Sequence, residues 1–343
     1  MPRVVALLTA ALLAVVGLTG CRAQDKMVVA FLVAADAAPR WTQSDEPAFA
    51  DYIGFHCPDC VYVKKLADGD AERQAEQLDD VIAAGADVVV LNAVNGEVGE
   101  AIVNKAHQAK VKVIAYDRFV PGADFYVSYD AGAIGRQMAK AAVARIPTEG
   151  SVLVVNGPQT DTNGVEIKRA VHRVLDKAKI SVLAELDPKT WSAEEARTWV
   201  RSQLAKRPAA EVDAIIAAND QQAEGVAQAL AAAHVLPQNR PVVTGQDADL
   251  AALRRIIVGT QTLTVFKSYP RQAEQAAQIA VDLVTGQKVE ASEQVKDVPA
   301  FVFQPLVVTI DNLADAVVRD QIFTLDQLCA GRVAAACTRQ GLR

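Results

Sequence analysis

The chain has 343 residues, of which 51% are hydrophobic and 22% are charged, and its 35 Lys and Arg residues against 41 Asp and Glu residues give a formal net charge of −6. This composition excludes intrinsically disordered, collagen-like and coiled-coil sequences, and an acidic chain without long basic runs lacks the footprint of a nucleic-acid-binding protein. At roughly 150 residues per domain the length allows two domains, and the four scattered His residues have no paired spacing that predicts a metal site.

Residues 1–20 have the pattern of a secretory signal peptide. Arg3 is their only charged residue, and the apolar run at 4–17 is shorter than the roughly 20 residues that a membrane-spanning helix needs. The Leu-Thr-Gly-Cys sequence that follows resembles a bacterial lipobox, which implies cleavage before Cys21 and lipidation of its sulfur. An uncleaved anchor and a plain signal peptide with an incidental Cys are the alternatives. We expect an extracytoplasmic protein, and the lipobox predicts a lipoprotein that acyl chains anchor to the cell membrane.

Four further cysteines follow Cys21 in the chain. An even number in an exported protein predicts disulfides, most simply Cys57 to Cys60 and Cys329 to Cys337. A straight helix would hold the last two about 12 Å apart, beyond disulfide reach, so we expect the tail to bend near Gly331. A redox-active pair and half a zinc site are the alternatives for the Cys-Pro-Asp-Cys motif. The chain has no second such motif, which disfavours both.

Short Val-, Ile- and Leu-rich runs alternate with longer amphipathic stretches from residue 27 onward. The predicted strands are 27–33, 86–91, 111–116, 151–156, 212–217, 242–246 and 263–266. The predicted helices are 70–84, 96–109, 131–145, 165–177, 193–206, 221–233 and 270–285. Strands that are apolar throughout are buried on both faces, and strict alternation of strand and helix gives a parallel sheet with helices on each side. The predicted fold class is therefore α/β.

Two such series follow one another, from residue 27 to about 128 and from about 129 to 264, without a flexible linker between them. This order predicts two lobes with a cleft between them. Polar residues follow the strands, namely Asn92, Asn95, Asp117, Arg118, Asp161, Asn163, Asn219, Asp220, Asp247 and Asp249. Ligands of open α/β sheets bind beyond the carboxyl ends of the strands. Because Asp accepts from hydroxyls, Arg and Lys donate to them and Asn does both, the cleft fits an uncharged molecule rich in hydroxyl groups.

Several separate segments carry a resemblance to a known family. They are Ala-Tyr-Asp-Arg at 115–118, Asp-Phe-Tyr-Val-Ser-Tyr-Asp at 124–130, Asn-Asp at 219–220, Gly-Gln-Asp-Ala-Asp-Leu at 245–250, Gly-Thr-Gln-Thr at 259–262 and Thr-Val-Phe-Lys at 264–267. In this order they resemble the D-xylose-binding proteins of bacterial ABC importers, over about residues 27–325. The resemblance implies the type I periplasmic binding protein fold, in which two Rossmann-like lobes with parallel sheets are joined by three hinge crossings.

The resemblance also implies how the chain divides. We expect the signal peptide at 1–20, an N-terminal lobe from 27–128 plus 267–300, and a C-terminal lobe from 129–266 plus 301–325. A C-terminal tail at 326–343 would carry the second disulfide.

The resemblance implies one set of ligand-binding residues: Arg40, Asp117, Arg118, Asn163, Trp191, Asn219, Asp247 and Lys267. The Trp191 ring would cover the apolar face of a pyranose while the polar groups bind its hydroxyls. Structural alternatives stand beside these roles: a surface ion pair for Asp117 and Arg118, a helix cap for Asp247, core packing for Trp191 and an exposed position for Lys267.

Two departures from the relatives leave the preferred sugar open. Thr162 stands where relatives often have Asn, and Gln221 and Gln222 stand where they often have small residues. Because a hydrogen-bonding site rejects ligands that lack the partner group, such changes can shift preference among pentoses, hexoses and polyols.

The expected function is that of a monomeric solute-binding protein that closes on a monosaccharide, xylose or a related sugar, and delivers it to an ABC permease. No cofactor, metal or nucleic acid is expected. Two alternatives remain: a sugar sensor subunit for a signalling receptor, and a glycosidase with Asp117 and Asp247 as its paired carboxylates. The Arg and Lys content of the cleft and the lack of a nucleophile or phosphate-loop motif favour binding over catalysis.

Overall fold

The computed structural model describes residues 26–35, 38–319 and 322–343. The predicted signal peptide and Cys21 lie outside these residues, so cleavage and lipidation stay predictions. In the described part of the chain, no helix combines the length and apolarity that crossing a membrane requires.

Strands and helices alternate along the described chain. The strands are β1 (Val28–Val33), β2 (Val61–Leu66), β3 (Val88–Leu91), β4 (Lys112–Tyr116), β5 (Phe125–Tyr129), β6 (Ser151–Val155), β7 (Ser181–Leu186), β8 (Ala214–Ala217), β9 (Val242–Val243), β10 (Gln246–Asp247), β11 (Thr264–Phe266), β12 (Glu293–Val295), β13 (Val298–Phe303) and β14 (Leu306–Val308). The α-helices are α1 (Glu46–His56), α2 (Ala71–Ala83), α3 (Gly96–Gln108), α4 (Ala131–Val143), α5 (Thr162–Ala178), α6 (Ala193–Leu204), α7 (Asp220–Ala232), α8 (Leu250–Val258), α9 (Tyr269–Val284), α10 (Leu325–Leu328) and α11 (Ala334–Arg339).

The strands form three sheets. A seven-stranded sheet has the order β12-β13-β5-β4-β3-β1-β2, a four-stranded sheet the order β7-β6-β8-β9, and a three-stranded sheet the order β10-β11-β14. All neighbouring pairs are parallel except β12 with β13 and β11 with β14. We call the seven-stranded sheet with α1, α2, α3 and α9 the N-terminal lobe, and the other two sheets with the remaining α-helices the C-terminal lobe.

Apolar side chains cover both faces of the larger sheets. Residues of β1 alternate between two hydrophobic clusters of the N-terminal lobe, one under α2 and α3 and one under α1 and α9. In the C-terminal lobe, one cluster lies under α4 and α5, and another under α6 and α7. This two-sided burial confirms the α/β class, and it explains why β1, β3 and β8 read as continuous apolar runs.

The seven predicted helices are present within a few residues of their predicted ends, but the strand prediction is incomplete. β2 and β7 are edge strands, half-buried and interrupted by Lys64, Lys65 and Glu185, so they lack a continuous apolar pattern. The prediction of one strand at 242–246 is wrong. Val242–Val243 pairs with β8, whereas Gln246–Asp247 pairs with β11 in another sheet.

The chain passes between the lobes three times. The crossings follow β5 at residues 129–130, β11 at 267–268 and β13 at 304–305. Helix α4 then packs on the C-terminal lobe and α9 on the N-terminal lobe. Pairing of β13 with β5 continues to Phe303. The exact division of the sequence between the lobes stays a prediction.

Both predicted cysteine pairs form disulfides in the structure. Cys57 and Cys60 connect the end of α1 to the start of β2, with a Cα–Cα distance of 5.3 Å. Cys329 and Cys337 are joined across the tail with a Cα–Cα distance of 5.9 Å. The tail bends at Gly331, whose φ of +64° is in the left-handed region that glycine tolerates. The predicted position of this bend is therefore confirmed.

Candidate functional site

A cavity of about 370 Å³ lies between the two lobes, beyond the carboxyl ends of the parallel strands. Its size falls in the range of roughly 300–1,000 Å³ that is common for small-molecule sites. All eight residues of the predicted ligand set line this cavity: Arg40, Asp117, Arg118, Asn163, Trp191, Asn219, Asp247 and Lys267. The structure thus brings the whole set together, and their contacts with a ligand stay a prediction.

Arg40 is held rigidly at the base of the cavity with only 3% of its surface exposed. Its Nε and Nη2 atoms donate to the carboxylate of Asp45 at 2.9 and 2.5 Å, and its Nη1 atom donates to Asp117 Oδ1 at 3.0 Å. The guanidinium lies 4.1 Å from the ring centre of Trp41 and 4.3 Å from that of Tyr269. Burial alone would lower the pKa of Arg40, but the carboxylates of Asp45 and Asp117 raise it.

Asp45, which the sequence analysis missed, lies behind Arg40 and is fully buried. Its carboxylate accepts from both Arg40 nitrogens and from the hydroxyl of Tyr116 at 2.5 Å. Burial raises the pKa of Asp45 above its ordinary value, and the charge of Arg40 offsets part of that rise. No motif could have identified Asp45, because its partners come from a neighbouring turn and from a strand 71 residues away.

Asp117 directly follows β4 and has a φ of +65°, a conformation that non-glycine residues adopt only with strain. Its carbonyl accepts hydrogen bonds from Ser128 Oγ at 2.7 Å and from Tyr126 OH at 3.2 Å, which hold this conformation. Burial by itself raises the pKa of the carboxyl, but the charges of Lys267 and Arg40, with that of Arg118, outweigh it and hold the pKa well below its ordinary value. Asp117 is therefore an ionised hydrogen-bond acceptor.

Arg118 reaches across the cavity. Its Nη1 atom donates to the carbonyl of Ala93 at 2.6 Å, and its Nε atom lies 2.7 Å from Asp161 Oδ2. Asp161 belongs to the other lobe, where its Oδ1 atom accepts from the backbone N–H of Asn163 at the start of α5. The same Asp161 Oδ2 accepts from Trp191 Nε1 at 3.0 Å.

Trp191 lines the cavity from the loop between β7 and α6, and it also packs on the core under α4 and α5. The ring lies so close to Gly157 that a Cβ atom at this glycine would be 2.3 Å from Cη2 of Trp191. Glycine at position 157 therefore lets the ring approach the backbone. Beside it, Asn163 Nδ2 donates across the cleft to the carbonyl and to Oδ2 of Asp117 at 3.0 and 3.1 Å.

Asp247 and Lys267 form a buried ion pair with an Nζ–Oδ1 distance of 3.0 Å, and Lys267 Nζ also lies 3.5 Å from Asp117 Oδ1. Lys267 is 3% exposed, so the alternative of an exposed side chain is wrong. The helix-cap alternative for Asp247 is also wrong, because Asp249 caps α8 by accepting from Ala252 N at 2.7 Å. Asp247 has a φ of +104°, a second strained carboxylate at the cavity.

Asn219 caps α7 through its Oδ1 atom, which accepts from Gln222 N at 2.9 Å. Its Nδ2 atom donates to Gln221 Oε1 at 2.8 Å, and Gln222 Nε2 donates to the carbonyl of Asn156. Gln221 and Gln222 therefore bind neighbouring protein groups, and the Gln221 side chain restricts the Asn219 amide.

Some polar residues that follow strands serve the fold instead of the cavity. Asn92 Oδ1 accepts from Ala34 N at 3.2 Å. Asp220 accepts from Gln261 Nε2 and Thr264 Oγ1 at 2.8 and 2.9 Å. Burial raises the pKa of Asp220, and the adjacent charge of Asp249 adds to this rise. Position after a strand alone does not separate such residues from cavity residues.

The charges on the cavity wall balance. Among the described residues that line it, Arg40, Arg118, Lys189 and Lys267 face Asp68, Asp117, Asp161 and Asp247. A wall with equal numbers of cations and anions gives no net attraction for an ion, but it supplies many donors and acceptors. Such a wall suits a neutral, hydroxylated molecule.

Comparisons with known proteins agree with this arrangement. Residues 29–288 match the periplasmic binding protein domain. The chain is 36% identical over 278 residues to the D-xylose-binding periplasmic protein of Haemophilus influenzae, covering 78% of this chain and 82% of the relative. It is also 36% identical over 270 residues to the D-xylose-binding periplasmic protein of Escherichia coli K12, covering 76% and 80%. A solute-binding protein of a carbohydrate transporter from Chloroflexus aurantiacus, solved in complex with D-glucose, superposes with a TM-score of 0.79 at 27% identity, covering 87% of this chain and 97% of that one.

Proposed function

Because this chain belongs to the periplasmic binding protein family, we propose that it is an extracytoplasmic lipoprotein that binds D-xylose or a related pentose or hexose in its cavity and delivers it to an ABC importer. Its fold is that of a type I periplasmic binding protein. Its relatives are sugar-binding transport proteins, and the chain is a solute-binding protein of this kind and not an enzyme. The sugar, the lipid on Cys21 and the eight ligand contacts are what the proposal adds.

The charge-balanced wall, which also presents the aromatic rings of Trp41 and Trp191, is the observation that carries the proposal. A monosaccharide has hydroxyls that both donate and accept, and it has an apolar C–H face. The carboxylates of Asp117 and Asp247 would accept from hydroxyls, Arg118 and Lys267 would donate to them, and Trp191 would cover the C–H face. A charged metabolite would be repelled by wall groups of its own charge that lie beside the groups of opposite charge.

Closure of the lobes is the proposed mechanism of capture. Of the proposed ligand set, the N-terminal lobe supplies Arg40, Asp117 and Arg118, and the C-terminal lobe supplies Asn163, Trp191, Asn219 and Asp247. A sugar that contacts both walls binds the closed arrangement more tightly than the open one and so shifts the population toward it. The permease would then receive the closed, loaded form.

The electrostatics of the cavity also argue against a glycosidase. Such an enzyme needs one carboxyl with a raised pKa to act as general acid. The pKa of Asp117 is instead lowered, because Lys267 and Arg40 outweigh the effect of burial, and the same two cations lie within 3.0 and 3.7 Å of Asp247 Oδ1. The two carboxylates thus share cations and suit hydrogen-bond acceptance.

Titration calorimetry with a panel of neutral ligands tests the proposal. The mature chain is titrated with D-xylose, L-arabinose, D-ribose, D-glucose, xylitol and myo-inositol. At least one pentose or hexose should release heat and raise the melting temperature. Absence of heat and of a thermal shift for the whole panel would refute the proposed function.

A matched pair of variants tests the site. Asp247→Asn preserves shape and removes the anionic acceptor, so affinity for the bound sugar should fall about 10- to 100-fold, as expected for a hydrogen bond to a charged group. Asp51→Asn makes the same change at an exposed position on α1 and should leave affinity unchanged. Equal affinities in the two variants would remove Asp247 from the ligand set.

Mass spectrometry of the protein from the membrane fraction tests the anchor. The expected mature N-terminus is a lipid-modified Cys21. A mature chain with an unmodified Cys21 would contradict the lipoprotein assignment without affecting the sugar site.

A further inference from the structure

Asp161 is a cavity carboxylate that has no role in the proposed ligand set. It is 4% exposed, and both of its oxygens already have protein partners. Its Oδ1 atom accepts from Asn163 N at 2.9 Å, and its Oδ2 atom accepts from Trp191 Nε1 at 3.0 Å while lying 2.7 Å from Arg118 Nε. One oxygen therefore caps a helix, and the other meets two cavity side chains.

These two side chains come from different lobes. Arg118 follows β4, and its Nη1–Ala93 hydrogen bond ties it to the N-terminal lobe. Asp161 and Trp191 follow β6 and β7 of the C-terminal lobe. The Arg118–Asp161 pair is thus an ion pair across the cleft, and with side-chain exposures of 13% and 4% it is screened little by solvent.

We propose that Asp161 is a positioning residue that couples lobe closure to the placement of the Trp191 ring. The inference rests on the proposed function, since it describes how the same cavity closes on its sugar. In the closed arrangement, Arg118 and the Trp191 indole both contact Oδ2 of Asp161. Arg118 of the N-terminal lobe therefore holds the carboxylate that orients the Trp191 ring of the C-terminal lobe. When the lobes separate, Arg118 leaves with the N-terminal lobe and the carboxylate loses the charge that holds its orientation.

The other polar contacts across the cleft, Asn163 with Asp117, Arg40 with Asp247 and Lys267 with Asp117, do not involve the Trp191 ring. Arg118–Asp161 is the charged contact whose acceptor also binds Trp191. The Arg118–Asp161 ion pair therefore stabilises the binding of a sugar that packs on Trp191, and the bound sugar in turn stabilises the ion pair. Because of this mutual stabilisation, we expect Asp161 to slow the dissociation of the bound sugar.

A double-mutant cycle measured with D-xylose tests the coupling. Asp161→Asn should raise the dissociation rate about 10- to 100-fold with less than about threefold change in the association rate, as for other buried charge pairs. In an Arg118→Met background, Asp161→Asn should cause no further increase. Additive effects of the two substitutions would overturn the proposal, because a carboxylate that only caps α5 does not need Arg118.

A helix-cap control separates the two roles of Asp161. Asp70 caps α2 in the same manner, accepting from Glu72 N and Arg73 N at 2.9 and 3.1 Å, and no hydrogen bond or ion pair joins it to a described residue of the C-terminal lobe. Asp70→Asn should leave the dissociation rate of D-xylose unchanged. The ¹⁹F resonance of 5-fluorotryptophan at Trp191 gives an independent readout: Arg118→Met should shift it in the wild-type background and not in Asp161→Asn. If Arg118→Met shifted the resonance in both backgrounds, Arg118 would not act on the Trp191 ring through Asp161, and the proposal would be wrong.

A measurement without sugar keeps this inference separable from the proposed function. Spin labels at Glu100→Cys on α3 and Arg173→Cys on α5, both exposed positions on opposite lobes, report the distance between the lobes. In the ligand-free protein, Asp161→Asn should move the distance distribution toward longer values. Identical distributions would overturn the proposal. A protein that bound none of the sugars would refute the proposed function, and the ligand-free distances would still decide the role of Asp161.

Discussion

The two walls of the cavity are built in different ways. On the N-terminal lobe, Arg40 is paired with both Asp117 and the buried Asp45, so the charges are arranged before any ligand arrives. On the C-terminal lobe, the wall also contains charges, among them the buried Asp247–Lys267 ion pair, but its amides and the Trp191 ring come from loops and helix starts. The N-terminal wall is a preorganised charged frame, and the neutral groups of the C-terminal wall reach the ligand when the lobes close.

This difference predicts different consequences of substitution. A buried charge whose partner is removed destabilises the fold, because its desolvation is no longer compensated. A neutral side chain on a loop can be lost with little effect on stability. Changes in the N-terminal charged frame should therefore lower both stability and affinity, whereas changes in the neutral groups of the C-terminal wall should lower affinity more than stability.

Arg40→Met should have the largest effect, because it leaves the fully buried Asp45 without its cation and takes one of the neighbouring cations from Asp117. We expect the free energy of unfolding to fall by about 3–5 kcal/mol in urea denaturation, as for other broken buried pairs. Arg169→Met is the control, since its pair with Glu166 is exposed, and it should cost about 0.5 kcal/mol or less. If Arg40→Met lowered the free energy of unfolding by less than about 1 kcal/mol, the N-terminal wall would not contribute to stability in the way described above.

Trp191→Ala should weaken sugar binding about 100-fold by calorimetry, because it removes aromatic surface from the cavity. Its loss of stability in urea should be no larger than that of Trp199→Ala, since each ring packs at the edge of a core. Trp199 is therefore the matched control for stability. It packs at the edge of the core under α6 and α7 and does not line the cavity, so Trp199→Ala should lower stability and leave affinity unchanged. If Trp191→Ala lost stability and kept affinity, the core-packing interpretation would be correct.

Gly157→Ala should weaken binding about tenfold, since the new methyl group would meet the Trp191 ring at 2.3 Å and displace it. The matched control is Gly54→Ala on α1, where a Cβ atom has open space within 4 Å. That change should leave affinity unchanged and stabilise the helix by up to about 1 kcal/mol. If Gly157→Ala left the affinity unchanged, sugar binding would not depend on the exact position of the Trp191 ring.

The pH dependence of Asp117 should give the smallest effect under ordinary conditions. Its pKa in the folded protein lies below the ordinary value of 3.8, because Lys267 and Arg40 outweigh burial, so its contribution to stability is present above pH 3.8 and is lost as the pH falls toward the folded value. The difference in unfolding free energy between wild type and Asp117→Asn should be constant from about pH 8 to 5 and shrink below about pH 4. If this difference in unfolding free energy instead grew as the pH fell, the Asp117 carboxylate would not be stabilised by Lys267 and Arg40.

Much of the fold could be predicted from local patterns. Helix α5 begins at an Asp cap and α3 at an Asn cap, and their apolar periodicity is complete within the segment. Edge strands β2 and β7 could not be recognised, because each has a neighbour on one side only and carries charged residues. The split of 242–246 between two sheets depends on partners that lie elsewhere in the chain.

The sequence by itself determined the α/β class, the order of its main elements and the residue types that follow the strands, because these features depend on near neighbours in the chain. Tertiary structure decided which of those residues face the cavity. Asp247 lines it whereas Asp220 is bonded within the lobe. The site also depends on contacts between distant segments, such as the hydrogen bond of Arg40 with Gln272, 232 residues away. Such contacts form only when distant segments of the chain fold together, so no local pattern encodes the roles of Asp45 and Asp161.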